Sequence, residues 1–376
     1  MNTQKFVAIF LFGCLTLMRG ATAASAEDAV RPDWNKRLAS QYMDERAQTW
    51  FAFGGADRGE GTAKISCISC HSVAPYALAR PALRKLTGAT EPTTLEAKLL
   101  KQTKQRVEHW RELDSDTYRL FYDFSEQKKK ESWGTEAVLN ALVLAFDDHY
   151  EARAAPGQST VTAMANLWQK QQLDGGEKGS WEWLDFGLAP WETKEARYFG
   201  ATLAALAIGT APGYFKPGTD AELDKKVDLL RGYLRGQLAT QNLNNRVWML
   251  WASAKVAGLL SKEEQKNVID AVLQKQQTDG GWSLSSLGTK MPTKDFTPDA
   301  TSDGYATGLI LHVLQEARMP KTDAKIAAGL SWLRSHQAAS GAWRANSVNK
   351  KRDPATHVGK FMTDAATAYA VLALSH

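Results

Sequence analysis

The sequence predicts an all-α protein in which six inner and six outer helices form an α6/α6 toroid. Six segments are apolar around most of their circumference, which is typical of helices that are buried on all sides. A more polar helical segment precedes each of them, and a glutamine, a glycine-rich turn and a tryptophan recur together three times. Because no segment shows the alternating pattern of a half-buried strand, an α/β fold is not expected.

The two classes of predicted helix alternate along the chain. The predicted inner helices span residues 75–83, 136–146, 198–208, 247–260, 305–314 and 365–374. The predicted outer helices span residues 38–52, 92–113, 158–172, 221–240, 262–277 and 321–337. A single pair of this kind cannot bury its own apolar face, so the pairs are expected to stack into an array.

Three repeats mark connections between an outer helix and the inner helix that follows it. They span residues 167–181, 273–282 and 333–343. Alignment of their glutamines makes three positions equivalent, at intervals of 105 and 60 residues: Gln172, Gln277 and Gln337. The longer interval fits two units of about 50 residues, with a degraded copy at 234–245 between them. The glycines allow the positive φ angles that end each outer helix.

The Gln-x-x-Asp-Gly-Gly-Trp segments resemble the QW repeats of squalene–hopene cyclases and of the wider terpenoid-cyclase and protein-prenyltransferase toroids. The resemblance covers residues 158–376, and the N-terminal part follows only the helix pattern. It implies that glutamine and tryptophan tie an outer helix to the start of an inner one. The residues that would form this scaffold are Gln172, Trp181, Gln277, Trp282, Gln337 and Trp343. Most other tryptophans are expected in the core, although a few could line a cage for an apolar ligand.

The chemistry of those families is not expected here. The Asp-x-Asp-Asp acid of the cyclases is absent, and Asp299 and Asp303 lack the neighbouring carboxylate that would replace it. Residues 147–151 resemble a magnesium–diphosphate motif, but a single copy at the polar end of a helix is better interpreted as a helix terminus. The catalytic zinc of the prenyltransferases requires a cysteine, and both cysteines after Cys14 belong to another motif.

That motif is Cys67-Ile68-Ser69-Cys70-His71, the attachment signature of a c-type haem. The thiols of Cys67 and Cys70 would form thioethers with the two vinyl groups of one porphyrin, and His71 would bind the iron. The sequence therefore predicts covalent haem c. A thioredoxin-like dithiol and half of a zinc site remain as alternatives, although neither a βαβ pattern nor a second Cys/His cluster accompanies the motif.

Residues 1–26 are predicted to be a secretory signal peptide. Lys5 is followed by an apolar run from Phe6 to Met18, and small residues at 21–23 and 24–26 form two cleavage sites. The run is too short to span a bilayer, which takes about 20 residues. The mature chain would be one toroid domain, 27–376, exported to a compartment such as the bacterial periplasm, where cytochrome c matures. Loss of Lys5 and Arg19 reduces the net charge of +5 to +3, so no nucleic-acid partner is expected.

The sixth iron ligand is predicted from the closure of the ring. Met362 begins the last inner helix as His71 begins the first, and ring closure would bring these helices together. Met362 is therefore the expected ligand, His357 in the preceding loop is the second choice, and an open position is the third. Other side chains at the starts of inner helices would surround the haem: Glu136, Glu195, Arg197, Asn245, Arg246, Asp303, Tyr305 and Asp364.

The sequence leads to two hypotheses for function. In the first, the chain is an exported c-type haem protein that passes electrons to or from a redox partner protein, or oxidises an apolar small molecule held in the toroid. In the second, it is a non-redox ligand-binding or structural toroid related to terpenoid cyclases. No membrane-spanning segment is expected in either case.

Overall fold

The computed structural model describes residues 33–289 and 296–376, so the predicted signal peptide lies outside the described residues. Residues 33–376 form one compact unit, and twelve α-helices lie in its described part. The outer helices are α1 (Lys36–Phe51), α3 (Thr94–Glu108), α5 (Gln158–Gln169), α7 (Ala221–Gln237), α9 (Lys262–Gln274) and α11 (Ala324–Ser335). The inner helices are α2 (Val73–Leu86), α4 (Glu126–Tyr150), α6 (Ala196–Thr210), α8 (Leu243–Lys255), α10 (Gly304–Glu316) and α12 (Phe361–Leu374).

The inner helices form a closed ring. Each packs on the next, and α12 packs on α2. The closest approach joins α10 and α12, where a Cβ on Gly308 would lie 2.5 Å from the backbone nitrogen of Ala370. The predicted toroid of six inner and six outer helices is confirmed.

All six inner helices start at the same end of the ring. Near the starts of α8 and α6, Asn245 Nδ2 donates to the Glu195 carbonyl at 3.3 Å. At the opposite end, Gln315 Nε2 of α10 donates to the Ala373 carbonyl of α12 at 3.0 Å. The helices are therefore parallel, and side chains at their starts can share one site.

Two local features differ from the sequence prediction. Helix α4 begins at Glu126, ten residues before the apolar segment, and Ser125 is its N-cap. In its first turn Lys128 binds Glu131 at 2.5 Å and also donates to the Asp185 carbonyl. A short antiparallel hairpin, β1 (Asp57–Arg58) with β2 (Ile65–Ser66), lies directly before Cys67. Two residues per strand are too few to produce an alternating pattern in a sequence. No helix in the described part of the chain is long and apolar enough to cross a membrane.

The three repeat tryptophans form equivalent junctions. Trp181, Trp282 and Trp343 are each fully buried. Their indole Nε1 atoms donate to carbonyls of the preceding outer helix, at 2.7 Å to Leu167, 2.8 Å to Val272 and 2.7 Å to Leu333. Each indole therefore fixes the end of an outer helix to the turn that leads into the next inner helix.

The glutamines of the first two junctions lie one position earlier than the alignment predicted. Gln276 Nε2 donates to the Gly280 carbonyl of its own turn and to the Lys325 carbonyl of the next outer helix, both at 2.8 Å. Gln171 does the same with Gly179 and Lys226. Gln277 Nε2 donates to the Ala300 carbonyl at 2.6 Å and so joins the end of α9 to the loop before α10, as predicted. The side chain of Gln172 forms no hydrogen bond to the described residues, so the role predicted for Gln172 is not confirmed. The motif spacing Gln-x-x-Asp already starts at Gln171 and Gln276.

The third glutamine closes the outer ring. Gln337 Nε2 donates to the Gly341 carbonyl and to the Asn35 carbonyl, both at 3.0 Å, and Gln337 Oε1 accepts from the Asn35 backbone nitrogen at 2.6 Å. Asn35 is also the N-cap of α1, where its side chain accepts from the Leu38 nitrogen. The last unit is thus hydrogen-bonded to the start of the first.

Candidate functional site

A cavity of about 670 Å³ opens beside the start of α2, and the segment 65–71 forms one wall. Cys67, Cys70 and His71 all line it. Most of the opposite wall comes from α3 and α4, with further residues from the segments before and after α4: Leu99, Gln102, Thr103, Arg106, Phe121, Tyr122, Thr135, Glu136, Leu139, Asn140, Leu184 and Glu192.

The backbone of the Cys67–His71 segment is held from both sides. The Cys67 nitrogen donates to the Ala56 carbonyl at 3.1 Å, and the Cys67 carbonyl accepts from Trp50 Nε1 of α1 at 2.8 Å. Ser69 Oγ accepts from the nitrogens of Ser72 and Val73, at 3.3 and 3.1 Å. Because Ser69 satisfies nitrogens at the start of α2, the two cysteines occupy fixed positions relative to that helix.

Hydrogen bonding fixes the ring of His71. Ser72 Oγ lies 3.0 Å from His71 Nδ1 and 2.6 Å from Asp364 Oδ2. Since the carboxylate can only accept, the hydroxyl proton points to Asp364 and Nδ1–H donates to Ser72. The tautomer assigned from this network leaves a lone pair on Nε2. Burial lowers the pKa of His71 to about 3, so the imidazole is neutral.

Asp364 joins the first and last units of the ring. Arg46 Nε lies 2.7 Å from Asp364 Oδ1, and the hydroxyl of Tyr42 donates to the same oxygen at 2.9 Å. The Asp364 carboxylate is therefore buried but fully hydrogen-bonded, which offsets the cost of removing it from water. Asp364 supports His71 indirectly, because it holds the Ser72 hydroxyl that accepts from His71 Nδ1.

The first turn of α12 contacts the start of α2, as ring closure predicted. The residue that touches the histidine is Phe361, whose ring stacks on His71 with centroids 3.6 Å apart. Met362 is buried, 5% exposed, and is not part of the cavity wall. His357 Nδ1 lies 3.2 Å from Arg46 Nη2, and its Nε2 has no hydrogen-bond partner in the described structure. Iron ligation by Met362 stays a prediction.

The two thiols have no ionising environment. Burial raises the pKa of Cys67 to about 12, with a smaller contribution from Glu192, and raises the pKa of Cys70 well above its usual value. Reactive dithiols need a depressed pKa, because the thiolate is the nucleophile. Among residues 33–289 and 296–376, no group of three ligand-type side chains includes either cysteine. These features weaken both the dithiol and the zinc interpretation.

Two acidic side chains in the cavity wall differ in their partners. Glu136 forms a two-point ion pair with Arg106, at 2.5 and 2.6 Å, and both side chains are buried. Glu192 has no hydrogen bond or ion pair to its carboxylate in the described part of the chain, and burial raises its pKa to about 7. The cavity therefore contains one paired carboxylate and one carboxyl group that can hold or release a proton near neutral pH.

The predicted surroundings of the site are partly confirmed. Glu136 lines the cavity, and Asp364 stands behind His71. The others do not line it: Glu195, Arg197, Asn245, Arg246, Asp303 and Tyr305. Arg106, Trp50 and Glu192 were missed, because they come from an outer helix or a loop and carry no motif. The sequence signal that could have identified Arg106 is a charged residue at a position of α3 where an apolar, buried residue is expected.

The acidic motifs considered for cyclase chemistry have structural partners. Asp303 caps α10 and accepts from the nitrogens of Ala306 and Leu284, at 2.8 and 2.7 Å. Asp148 is buried, accepts from Thr160 Oγ at 2.6 Å and pairs with Arg153 at 2.9 Å. Asp148 is thus a buried anchor rather than the solvated helix end that the sequence suggested. Burial, with a smaller contribution from Asp299, raises the pKa of Asp303 to about 6.

Fold and site together define the chain as an α/α toroid with a Cys-x-x-Cys-His segment in a cavity wall. No protein-family model and no curated protein matches the chain. A mutant of unsaturated glucuronyl hydrolase from Streptococcus agalactiae is similar over 96% of this chain and 98% of its own, at 10% identity and a TM-score of 0.49. The type II terpene cyclase MstE from Scytonema is similar over 91% and 99%, at 14% identity and a TM-score of 0.43. Similarities this distant do not bear on substrate or reaction.

Proposed function

We propose that this chain is an exported c-type haem protein, with haem c bound covalently through Cys67 and Cys70 and with His71 as the proximal iron ligand. The observation that carries the proposal is that both thiols and His71 line one cavity. The bound haem would supply one-electron redox chemistry, and the protein would supply its orientation and surroundings.

The residues around the segment fit this role. His71 Nδ1–H is committed to Ser72, so Nε2 is the nitrogen available to iron. Asp364, itself bound by Arg46, keeps Ser72 in place and so fixes the plane of the imidazole. Proximal histidines are held in this way by an acceptor on the second nitrogen.

For the second axial position, our proposed ligand remains Met362. Its support is that the first turn of α12 lies against His71, through Phe361. The contrary observation is that Met362 does not line the cavity. The variant Met362→Leu removes the thioether while nearly conserving volume. If Met362 binds iron, the oxidised variant loses the near-infrared band of a sulfur–iron bond and its reduction potential falls; an unchanged spectrum and potential would leave His357 or an open position.

Two redox roles are consistent with such a haem. One is electron exchange with a partner protein, and the other is oxidation of an apolar small molecule held beside the haem. Glu192 favours the second role, because an unpaired carboxyl group in the cavity wall can transfer a proton to or from a bound molecule. An open iron position, with no Met362 band, would support the same role.

Covalent attachment is tested by expression with a cytochrome c maturation system. The wild-type protein should retain a haem stain after denaturing electrophoresis and give a c-type pyridine haemochrome spectrum. Cys67→Ser with Cys70→Ser should lose both signals, whereas the control Ile68→Val, within the same segment, should keep them. A colourless wild-type protein of the correct mass would contradict the proposal and favour the non-redox ligand-binding toroid.

Export is tested on the same preparation. The mass of protein from the periplasmic fraction should correspond to cleavage after residue 23 or 26, at one of the two small-residue sites. Full-length protein confined to the cytoplasmic fraction would contradict export, and haem attachment would then also fail, since maturation takes place outside the cytoplasm.

A further inference from the structure

A second cluster of ligand-type side chains lies at the end of the ring away from the cysteines. His312 and Glu316 occupy one face of the last turns of α10, and His376 follows the end of α12. His312 Nδ1 lies 2.8 Å from His376 Nε2, and His376 Nε2 lies 3.8 Å from Glu316 Oε1. One ligand atom from each of the three residues falls within 4.8 Å of the others.

These distances match the spacing of ligands around one metal ion. For tetrahedral zinc with metal–nitrogen bonds of about 2.0–2.1 Å, neighbouring ligand atoms lie about 3.3 Å apart. The observed separations of 2.8 and 3.8 Å fall on either side of that value. The third separation, between His312 and Glu316, is within 4.8 Å, so the three side chains have to move closer together to share one centre.

The surroundings orient each of the three groups. Glu316 Oε2 accepts from Lys255 Nζ at 2.7 Å, which leaves Oε1 directed to the cluster. The backbone carbonyl of His376 accepts from Lys321 Nζ. His312 is 4% exposed and rests edge-on against Trp251, with centroids 4.5 Å apart. Of these contacts, the bond from Lys255 to Glu316 is of the kind that supports ligating side chains in metal sites.

Metal binding requires a free lone pair on each imidazole, and the two ring nitrogens that face each other are His312 Nδ1 and His376 Nε2. The Nε2 of His312 is buried without a hydrogen-bond partner among the described residues, so this nitrogen can keep the ring proton while Nδ1 binds. The cluster also lies at the C-terminal ends of α10 and α12, where the helix dipoles attract positive charge.

We propose that His312, Glu316 and His376 form a binding site for a divalent transition-metal ion, with Zn²⁺ as the ion of choice. Two imidazoles and one carboxylate are ligands that zinc accepts. Tyr150 and Lys85 line a neighbouring pocket of about 540 Å³ that also contains all three ligands. A fourth position can therefore be filled from this pocket by water or by an anionic ligand, as in zinc sites that keep one position open.

The site is tested with untagged protein that carries Cys67→Ser and Cys70→Ser, so that neither haem nor the thiols can bind metal. After removal of metal with a chelator, Zn²⁺ should bind with a stoichiometry of one in a calorimetric titration, and Co²⁺ should give the visible absorption of a four-coordinate ion. His376→Ala and Glu316→Gln should each lower Zn²⁺ affinity at least about 100-fold, since loss of a ligand exceeds the loss caused by a supporting residue.

The matched control is His109→Ala. His109 and Glu112 form an exposed His–Glu pair at 3.0 Å, away from the cluster, so this variant should bind Zn²⁺ as the parent does. Circular dichroism shows whether each variant is folded, and His376→Ala keeps the test valid if variants of the buried His312 do not fold. No saturable Zn²⁺ binding, or binding unchanged by His376→Ala, would overturn the proposal. Either result leaves the proposed haem site untouched, because the cysteines are absent from the protein tested.

Discussion

The connection between α1 and α2 differs from the three repeat junctions although it occupies the same place in its unit. At a junction, a fully buried tryptophan in the turn donates to the end of the outer helix, as Trp282 does to Val272. In the first unit the direction is reversed, because Trp50 lies in the outer helix and donates to Cys67 in the connection. The connection itself is shorter than those at the junctions, spanning 52–72 against 275–303 at the second junction, and it contains a hairpin.

The difference separates scaffold from site. At the junctions the indole and glutamine side-chain nitrogens already donate hydrogen bonds that hold the helices and turns together. In the first connection the backbone is held equally well, but the thiols of Cys67 and Cys70, Nε2 of His71 and the carboxyl of Glu192 have no hydrogen-bond partner in the described structure. Groups that are held in place but left free are the ones that can bind a cofactor or react.

The largest expected effect concerns a junction tryptophan. Trp282→Ala should lower the free energy of unfolding by about 3–5 kcal/mol, because it leaves a cavity and also frees the Val272 carbonyl. Chemical denaturation measures the change. The control Leu173→Ala, at a side chain 63% exposed beside another junction, should change it by less than about 0.5 kcal/mol. Equal losses in the two variants would mean that the junctions are not the scaffold.

The next effect tests the cavity beside the cysteines. Because the folded protein raises the pKa of Glu192 from 4.5 to about 7, the unfolded chain releases this proton first as the pH rises. Wild-type stability should therefore fall between about pH 4.5 and 7 through this group. Glu192→Gln removes that loss and should be more stable than wild type at pH 8, by up to about 3 kcal/mol, but not at pH 4.

Unfolding of the haem-free Cys67→Ser, Cys70→Ser protein at both pH values measures this difference. The matched control is Glu195→Gln, at an exposed position on the same connection. The difference in stability between this variant and its parent should be the same at the two pH values. A Glu192→Gln variant with no pH-dependent gain would show that the carboxyl is hydrated, so that the two regions do not differ in this respect.

A smaller effect sharpens the description of the junctions. Gln276→Ala should cost about 1–3 kcal/mol, because the carbonyls of Gly280 and Lys325 both lose a donor. Gln277→Ala removes one bond to Ala300 and should cost less, below about 1 kcal/mol. The two variants differ by one position and are compared by the same denaturation measurement. A larger loss of stability in Gln277→Ala than in Gln276→Ala would instead support the alignment that made Gln172, Gln277 and Gln337 equivalent.

The smallest expected change in stability is at the first connection. Trp50→Phe removes the bond to the Cys67 carbonyl and should cost about 1 kcal/mol. Its more specific effect should be a lower ratio of covalent haem to protein, because the Cys67–His71 segment loses its contact with α1. Full haem content in a destabilised variant would show that the indole supports the fold but not the site.

Helix number and order were predictable because they depend on local pattern. The apolar segments found α6, α10 and α12 to within a few residues, since helices that are buried on every side contain few polar residues. Helix α4 was found less well, because its first turns are polar and are fixed by Asp185, which lies far along the chain. The alignment passed over Gln276 although the Gln-x-x-Asp spacing starts there, and its bond to Lys325 of the next outer helix is visible only in the structure.

The sequence by itself determined the type of fold, the junction tryptophans and the presence of the Cys67–His71 segment, because period and motif spacing are local properties of a chain. Only the tertiary structure decided what surrounds that segment. Arg106 and Glu192 reach it from an outer helix and a loop that no motif connected to it, and Phe361 rather than Met362 meets His71. The cluster of His312, Glu316 and His376 likewise exists only because α10 and α12 are parallel neighbours. Contacts between distant parts of a chain depend on how helices pack in space, which no local pattern specifies.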